Sequence, residues 1–423
     1  MTAPYPSYGE HRRERVSHVF LATMVSLTLL MNTLGRGVTE TFTVFLLPVE
    51  ETMQATRAEM TLAYSIYMLV NGVSAPIAGQ MIDRLGGRLT YGIGLAFLGS
   101  GFWLAGHADA LWQYYLFYSV YGGFGAAALG MVAASSLLSR WFTKRLGTVV
   151  AIPHAATGLG VLLIPPLAQF LMGYFSWQQT HQIIGAGVLV MIPFVLLLPL
   201  GAMSRGSELW RAQRRAARAS GAQAWTALRA IQTEAFWSLF LVFFFTSVAA
   251  YAVIPQCVAF LVESGFDPLF AASAFGVSGL FSAIGIFASG WFSDRIGRLT
   301  IVTITKVLTM TGIASLIMIV WYPNLLFVYM FVFFFGIVQG ARGPIIAVLV
   351  SLLFRGGSVG AIFGTLSLAM GLGAGGGSWL SGALHDWTDG YFASFTLGFV
   401  ASALGLAVYW ISPSLRRERP ARI

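Results

Sequence analysis

The chain has 423 residues, of which 57% are hydrophobic and only 10% are charged, and this balance excludes an ordinary soluble globular protein. The net charge of +9 could indicate nucleic-acid binding, but the basic residues form short clusters between long apolar stretches, which fits a membrane surface better. The single cysteine, Cys257, excludes a disulfide framework, and it forms no ligand cluster with the six histidines.

Twelve apolar stretches, each long enough to cross about 30 Å of hydrocarbon as a helix, follow one another along the chain. We number them span 1 to span 12 in chain order, and they cover residues 17–46, 59–80, 89–107, 111–138, 147–172, 179–202, 235–262, 268–291, 299–321, 325–354, 359–384 and 393–412. Each run is continuous and lacks the short-range alternation of barrel strands. The sequence therefore predicts an all-α membrane protein with twelve transmembrane helices.

Span 1 carries two charges in its outer half, Arg36 and Glu40. They are four residues apart, so their side chains can pair on one face of the helix. A charge inside a membrane costs roughly 2.5 kcal/mol or more, and those that remain usually face a cavity or a partner. Three roles stay open: an internal ion pair, contact of Arg36 with a substrate, and proton carriage by Glu40.

The connections after span 2 and span 8 carry related motifs, "GQMIDRLGGR" (79–88) and "SGWFSDRIGR" (289–298). One offset of 211 residues aligns them, which predicts two six-helix halves duplicated in parallel orientation. In each motif a glycine allows close approach of a helix, and an aspartate one turn later can meet a helix N-terminus or nearby arginines. We predict a cytoplasmic latch that releases when the halves rock; the simpler alternative is a positively charged turn. The predicted latch consists of Gly79, Asp83, Arg84, Arg88, Gly290, Asp294, Arg295 and Arg298.

Basic residues are concentrated in every second connection and at the chain ends, which together hold 21 of the 25 Lys and Arg residues. The opposite connections hold only Arg57 and are acidic, so the positive-inside rule predicts that both termini are cytoplasmic. The long middle connection is rich in Ala and Arg and predicts an amphipathic linker helix on the inner membrane surface. The predicted domains are an N-terminal bundle (1–202), this linker (203–234) and a C-terminal bundle (235–423).

Span 10 contains a permanent positive charge, Arg342, with Gln339 nearly one turn before it. Arg342 lies about 25 Å along the helix from Leu325, slightly to the cytoplasmic side of the middle. Because a guanidinium binds a carboxylate through two parallel hydrogen bonds, Arg342 is a candidate substrate-binding residue with Gln339 as a neutral helper. The alternative is an internal contact with a backbone carbonyl or an inner-gate group.

The twelve spans, the long middle connection and the loop at 79–88 with its second copy resemble the major facilitator superfamily of secondary transporters. Three stretches are also similar to bacterial members of its monocarboxylate and oxalate/formate antiporter branch: "GVTETFTVFLLPVEE", "RWFTKRLGTVVAIPHAATGLGVLLIPPL" and "GSWLSGALHDWTDGYFASF". Span 8 and span 11 depart from this branch, because they carry no charge where its members often have an arginine or a lysine. The resemblance implies two pseudo-symmetric six-helix bundles, with spans 1, 4, 7 and 10 around a central cavity.

In that arrangement, Arg36 and Arg342 approach a midline site from opposite halves. The repeat aligns Arg342 with Met131 and Arg36 with Ser247, so neither charge belongs to the duplicated scaffold. For each arginine, substrate contact and an internal contact within the protein stay open as alternatives.

We therefore predict a non-enzymatic secondary carrier of the bacterial inner membrane that moves a small organic anion, a mono- or dicarboxylate, by alternating access. Proton coupling or exchange is expected on family grounds, with no cofactor, no nucleic-acid partner and a monomer in the lipid bilayer. The alternatives are a drug or cation exporter that uses Glu40 and a non-transporting sensor on the same fold. The predicted substrate-binding residues are Arg342, Arg36, Glu40 and Gln339.

Overall fold

The computed structural model describes residues 18–142, 146–197, 206–207, 227–340 and 359–416, and within these ranges every regular element is a helix. Helix is present in each of the twelve predicted spans, which confirms the all-α twelve-span fold. The segments are His18–Glu40, Phe42–Met53, Arg57–Arg84, Gly86–Ala105, Leu111–Tyr114, Tyr115–Tyr121 (a π-helix), Gly122–Leu129, Met131–Leu138, Leu146–Met172, Trp177–Leu197, Ala227–Ile231, Glu234–Tyr251, Ile254–Gln256 (a 3-10 helix), Cys257–Glu263, Pro268–Ile296, Arg298–Trp321, Leu325–Gln339, Val359–Thr388, Tyr391–Ile411 and Pro413–Arg416. Most of the predicted linker lies outside the described residues, so the domain boundaries stay a prediction.

Polar capping residues begin several spans at the membrane boundary. Span 2 starts with a capping box, in which Glu59 N donates to Thr56 Oγ1 at 3.2 Å and Thr56 N donates to Glu59 Oε2 at 2.9 Å. Asp267 caps span 8 by accepting from Phe270 N at 2.8 Å, with Pro268 at the first helical position. These caps satisfy helix-end N–H groups where the chain enters the bilayer.

Eight of the described helices are long and apolar enough to cross a membrane, and Leu325–Gln339 is a shorter apolar helix. Large apolar side chains lie on the outer surface of the protein: Val73, Leu163 and Val190 are each more than half exposed in the isolated chain. Water is a poor solvent for such a surface, and lipid is a good one. The protein is therefore an integral membrane protein.

Within the described residues, the helices of spans 1, 4 and 7 are each interrupted. Span 1 is interrupted at Thr41, span 4 at Gly130, whose backbone is extended (φ −78°, ψ −171°), and span 7 between Tyr251 and Ile254. Helix breaks inside a membrane are tolerated only where protein or a water-filled cavity satisfies the freed backbone groups. The breaks therefore mark the interior of the protein and not its lipid-facing surface.

The two six-helix bundles meet along spans 2 and 11 and along spans 5 and 8. Between spans 2 and 11, Ser65 Oγ donates to Gly375 O at 2.7 Å. Further along the same pair of helices, Gly72 lies against Gly371, since a Cβ on Gly72 would be 3.4 Å from Gly371 Cα. Small and hydroxyl-bearing residues allow this close approach of two helices in a membrane.

Gly279→Ala is expected to weaken the contact between spans 5 and 8. A Cβ at Gly279 would lie 2.5 Å from Gly158 O and 2.8 Å from Val161 Cβ, so the two helices must separate to accept it. We expect a lower thermal unfolding midpoint in detergent, corresponding to a loss of about 1–3 kcal/mol. Gly187→Ala is the matched control, because among the described residues no atom of another helix lies within 4 Å of its Cβ position. Equal midpoints for the two variants would contradict this account of the interface.

Candidate functional site

A cavity of about 350 Å³ lies between the two bundles, at the level of the helix breaks. Gly130 of span 4 and Tyr251 and Ile254 of span 7 contribute to its wall. A largely apolar cavity with a few polar groups is the usual form of a small-molecule site. The polar part of the lining includes Asn32, Arg36, Asn71, His154, Thr246 and Gln339.

The structure brings Arg36 and Glu40 together at the wall of this cavity. Arg36 Nη2 lies 2.5 Å from Glu40 Oε1; the Glu40 side chain is fully buried, whereas 26% of the Arg36 side chain is exposed. Tyr64 Oη lies 3.2 Å from both carboxylate oxygens of Glu40 and donates its single hydrogen bond to them. As seen from the cavity, the Glu40 carboxylate thus lies behind the Arg36 guanidinium. Arg36 is therefore the charged group of this pair that a solute in the cavity meets first.

Tyr251 connects this ion pair to the C-terminal bundle. Arg36 Nη2 donates to Tyr251 Oη at 3.2 Å, and the rings of Tyr251 and Tyr64 have centroids 6.0 Å apart. Tyr251 follows Ser247, the residue that the repeat aligns with Arg36, by about one helical turn, and both residues line the cavity. Arg36 therefore contacts groups of both bundles, so a change in the hydrogen bonding of its guanidinium affects contacts in both bundles.

Span 10 contributes Gln339 to the cavity wall, whereas Arg342 lies outside the described residues. The Gln339 Oε1 atom is buried and accepts no hydrogen bond from the described part of the chain. A buried amide oxygen without a donor is costly, so this atom is a polar group that a bound solute can satisfy. Met131, which the repeat aligns with Arg342, lines the same cavity. A role of Arg342 in binding stays a prediction.

A further cation lies next to the cavity but is not among the predicted site residues. Lys306 of span 9 is 6% exposed, and its Nζ donates to Thr246 Oγ1 at 2.5 Å. Thr246 of span 7 lines the cavity. The sequence does contain a signal, because a lysine inside the apolar range 299–321 costs several kcal/mol unless it has a partner.

Arg57 closes the interface between the bundles at the end that is predicted to face outside. Its side chain is 2% exposed, and Nε lies 2.7 Å from Glu50 Oε2 of the same bundle. Nη2 lies 2.8 Å from Glu263 Oε1 of the other bundle. Nη1 also donates to Tyr391 Oη, which donates to Glu263 Oε2 at 2.5 Å. We call Glu50, Arg57, Glu263 and Tyr391, together with Asp386, the outer cluster.

Asp386 of span 11 adds a second connection between the bundles within the outer cluster. Its Oδ1 accepts from Arg57 N at 3.1 Å and its Oδ2 from Ala58 N at 2.8 Å, so it caps the start of span 2. The outer cluster thus joins the bundles in two ways: through the side chain of Arg57 and through the N-terminus of span 2, which Asp386 caps. The sequence shows Arg57 as the single Lys or Arg residue of the acidic connections, but it does not indicate the partners of this residue.

The predicted cytoplasmic latch lies at the opposite end of the same helices. Asp83 Oδ1 lies 2.5 Å from Nη2 of Arg140, a residue of the N-terminal bundle that is 5% exposed. A Cβ at Gly79 would lie 3.2 Å from Val132 Cγ1 of the same bundle. These contacts are made within one half, so a latch between the halves stays a prediction.

For the remaining residues of the predicted latch, the structure describes the position in a helix but few side-chain contacts. The side chains of Arg84, Arg88 and Arg295 are exposed, and Arg295 Cζ lies 3.8 Å from the centroid of the Trp291 ring. The positions of Gly290 and Asp294 lie within helix Pro268–Ile296, and Arg298 begins the next helix. The side chains of Asp294 and Arg298, and the surroundings of Gly290, lie outside the described part of the structure.

Comparisons with known proteins agree with this architecture. The family model of the Major Facilitator Superfamily matches residues 25–367. Monocarboxylate transporter 13 of Bos taurus is 27% identical over 372 residues, which cover 88% of this chain and 83% of that protein. The oxalate:formate antiporter of Oxalobacter formigenes is 23% identical over 278 residues, which cover 64% of this chain and 63% of that protein.

Two solved structures have the same fold. The D-xylose-proton symporter superposes with a TM-score of 0.74 at 15% identity, covering 95% of this chain and 99% of that chain. A bacterial homologue of the human lysosomal transporter Spinster, in an inward-facing and occupied conformation, superposes with a TM-score of 0.71 at 15% identity, covering 93% of this chain and 97% of that chain.

Proposed function

Because the chain belongs to the major facilitator superfamily, we propose that it is a secondary active transporter of a small organic anion, a mono- or dicarboxylate. Transport of a small molecule, and not catalysis, is the general role of this family. The monocarboxylate and oxalate:formate transporters among its relatives support the carboxylate class, although their identity to this chain is low.

The observation that carries the proposal is the position of Arg36. Its guanidinium lines the cavity, while its counterion Glu40 is buried behind it. A carboxylate in the cavity can accept two hydrogen bonds from a guanidinium, and it meets no exposed negative charge from this pair. A cationic solute would meet Arg36 first, so the same geometry disfavours a cation exporter that uses Glu40.

Proton coupling or exchange is part of the proposal. If a proton binds Glu40, the Arg36 guanidinium is released from its counterion and can pair with a substrate carboxylate. The charge of the site is then the same before and after a proton and a monocarboxylate bind together. Exchange of one anion for another needs no proton, because the departing carboxylate is replaced by the arriving one.

The outer cluster supports alternating access. It joins the two bundles at the predicted outer end, so the structure is closed on that side of the cavity. Rocking of one bundle against the other must break these contacts before the cavity opens outward.

The test is counterflow in proteoliposomes, with a panel of unlabelled carboxylates inside the vesicles and labelled carboxylates outside, for wild type beside Arg342→Gln. We expect the wild type to exchange carboxylates and Arg342→Gln to lose exchange while remaining folded, because the variant lacks the second predicted guanidinium. A chain that exchanges no carboxylate, but moves a cationic compound under a pH gradient and loses that activity in Glu40→Gln, contradicts the proposed substrate class.

A further inference from the structure

The Thr246 hydroxyl is bonded differently from those helical threonine hydroxyls that donate to a backbone carbonyl. Threonine hydroxyls in helices usually donate to a carbonyl three or four residues earlier, as Thr39 does to Gly35 O at 2.6 Å and Thr309 does to Thr305 O at 2.8 Å. In the described part of the chain, the Thr246 hydroxyl donates to no acceptor and instead accepts from Lys306 Nζ at 2.5 Å.

The chemistry of the two groups fixes the direction of this hydrogen bond. An ammonium group has three donors and no acceptor, so Thr246 Oγ1 must be the acceptor in its contact with Lys306. The hydroxyl proton then points away from the lysine. Thr246 lines the cavity, so a solute oxygen there can accept that proton.

The surroundings of Lys306 allow the ammonium to hold this position. The side chain is 6% exposed, and a Cβ at Gly405 of span 12 would lie 3.1 Å from its Nζ. The absence of a side chain at Gly405 leaves room for the ammonium behind Thr246. A cation on the acceptor side of a hydroxyl polarises the O–H bond and makes it a stronger donor.

We propose that Thr246 is an anion-binding residue of the carrier and that Lys306 is its positioning residue. This inference rests on the proposed function and deepens it. The Thr246 hydroxyl donates to a carboxylate oxygen in the cavity, and Lys306 orients and polarises that hydroxyl without touching the substrate. The anion is thus held from the C-terminal bundle by Thr246 and from the N-terminal bundle by Arg36.

The experiment measures KM and Vmax for carboxylate counterflow in Thr246→Val, Thr246→Ser, Lys306→Met and the double variant Thr246→Val/Lys306→Met. Thr246→Val removes the hydroxyl while keeping the shape of the side chain. We expect about a ten-fold increase in KM for each single variant, as for loss of one hydrogen bond to a charged group. Thr246→Ser, which keeps a hydroxyl, restores most of the affinity.

The double variant separates a positioning role from an independent one. If Lys306 acts only through Thr246, the double variant has the KM of either single variant, and the two effects do not add. If its KM is instead raised about a hundred-fold, Lys306 acts on the anion by itself and the positioning role is wrong. Lys306→Arg is the control that keeps the charge. The size-exclusion profile and unfolding midpoint of Lys306→Met and Lys306→Arg are compared with those of wild type, which tests whether the effect of Lys306→Met comes from misfolding.

The outcomes distinguish this inference from the function on which it rests. If wild type exchanges carboxylates and Thr246→Val has the wild-type KM, the inference is wrong and the proposed function stands. If wild type exchanges no carboxylate at all, the proposed function fails before any variant is compared, and the inference fails with it.

Discussion

Arg57→Gln is expected to remove most of the counterflow and to open the outer end of the protein. The change takes the cation from the outer cluster and leaves the carboxylates of Glu50 and Glu263 close together. Loss of one partner of a buried ion pair costs about 3–5 kcal/mol, and less where the partners are exposed; the Glu50 and Glu263 side chains are 21% and 40% exposed. We expect a shift of about 2 kcal/mol against the outer-closed state, comparable to the few kcal/mol that separate conformations of a two-state protein.

The single cysteine is a natural reporter of this opening. Cys257 is fully buried in span 7, between Ile254 at the cavity and Glu263 in the outer cluster. A membrane-impermeant maleimide added from outside should label it slowly in wild type. Labelling in Arg57→Gln should be about ten times faster or more, as a shift of roughly 1.4 kcal/mol or above requires.

Two further variants control this measurement. Arg416→Gln changes an exposed arginine at the other end of the molecule and should label at the wild-type rate. Arg57→Lys should be intermediate, because an ammonium cannot reproduce the planar fork that reaches Glu50, Glu263 and Tyr391 together. Slow labelling and full counterflow in Arg57→Gln would show that the outer cluster does not hold the bundles closed.

Arg36→Gln is expected to lower the kcat/KM of carboxylate counterflow by about 10–100-fold, the effect of losing one charge-assisted hydrogen-bonding group. It should also destabilise the fold. Glu40 is fully buried and, among the described residues, would keep only the hydroxyl of Tyr64 as a partner. An uncompensated buried charge costs about 3–5 kcal/mol.

The double variant Arg36→Gln/Glu40→Gln separates these two effects. With both charges removed, the buried carboxylate penalty disappears, so the unfolding midpoint should return toward that of wild type. Counterflow should remain low, because no guanidinium faces the cavity from span 1. Recovery of both properties in the double variant would mean that the pair is structural and that the anion binds elsewhere.

The twelve spans could be predicted from the sequence because only a helix satisfies its own backbone groups in hydrocarbon. The end of span 1 was less predictable. The apolar run was expected to end at residue 46, but helix Phe42–Met53 continues it after the interruption at Thr41. Phe45 and Val49 on that helix are fully buried, and hydropathy does not distinguish the interior of a protein from lipid.

The candidate site was predictable only where one helix contains it. Arg36 and Glu40 are one turn apart, so their spacing alone indicates the ion pair. Arg57 and Glu263 are 206 residues apart, and Lys306 of span 9 meets Thr246 of span 7 where both of these spans pack against span 12. The sequence shows that these charges exist, but the partner of each is determined by tertiary packing.

The contact between Gly72 and Gly371 lies near the middle of span 2, so a rotation of the bundles about this contact would make span 2 act as a lever. Arg57, at one end of span 2, is fifteen residues or about 22 Å of helix away from Gly72. Arg84, at the other end, is twelve residues or about 18 Å away. A tilt of about ten degrees therefore displaces the two ends by roughly 3–4 Å in opposite directions, which is a modest domain movement. A displacement of that size would break the hydrogen bonds of the outer cluster. A small rotation about this glycine contact would therefore open the outer end of the protein while the opposite end closes.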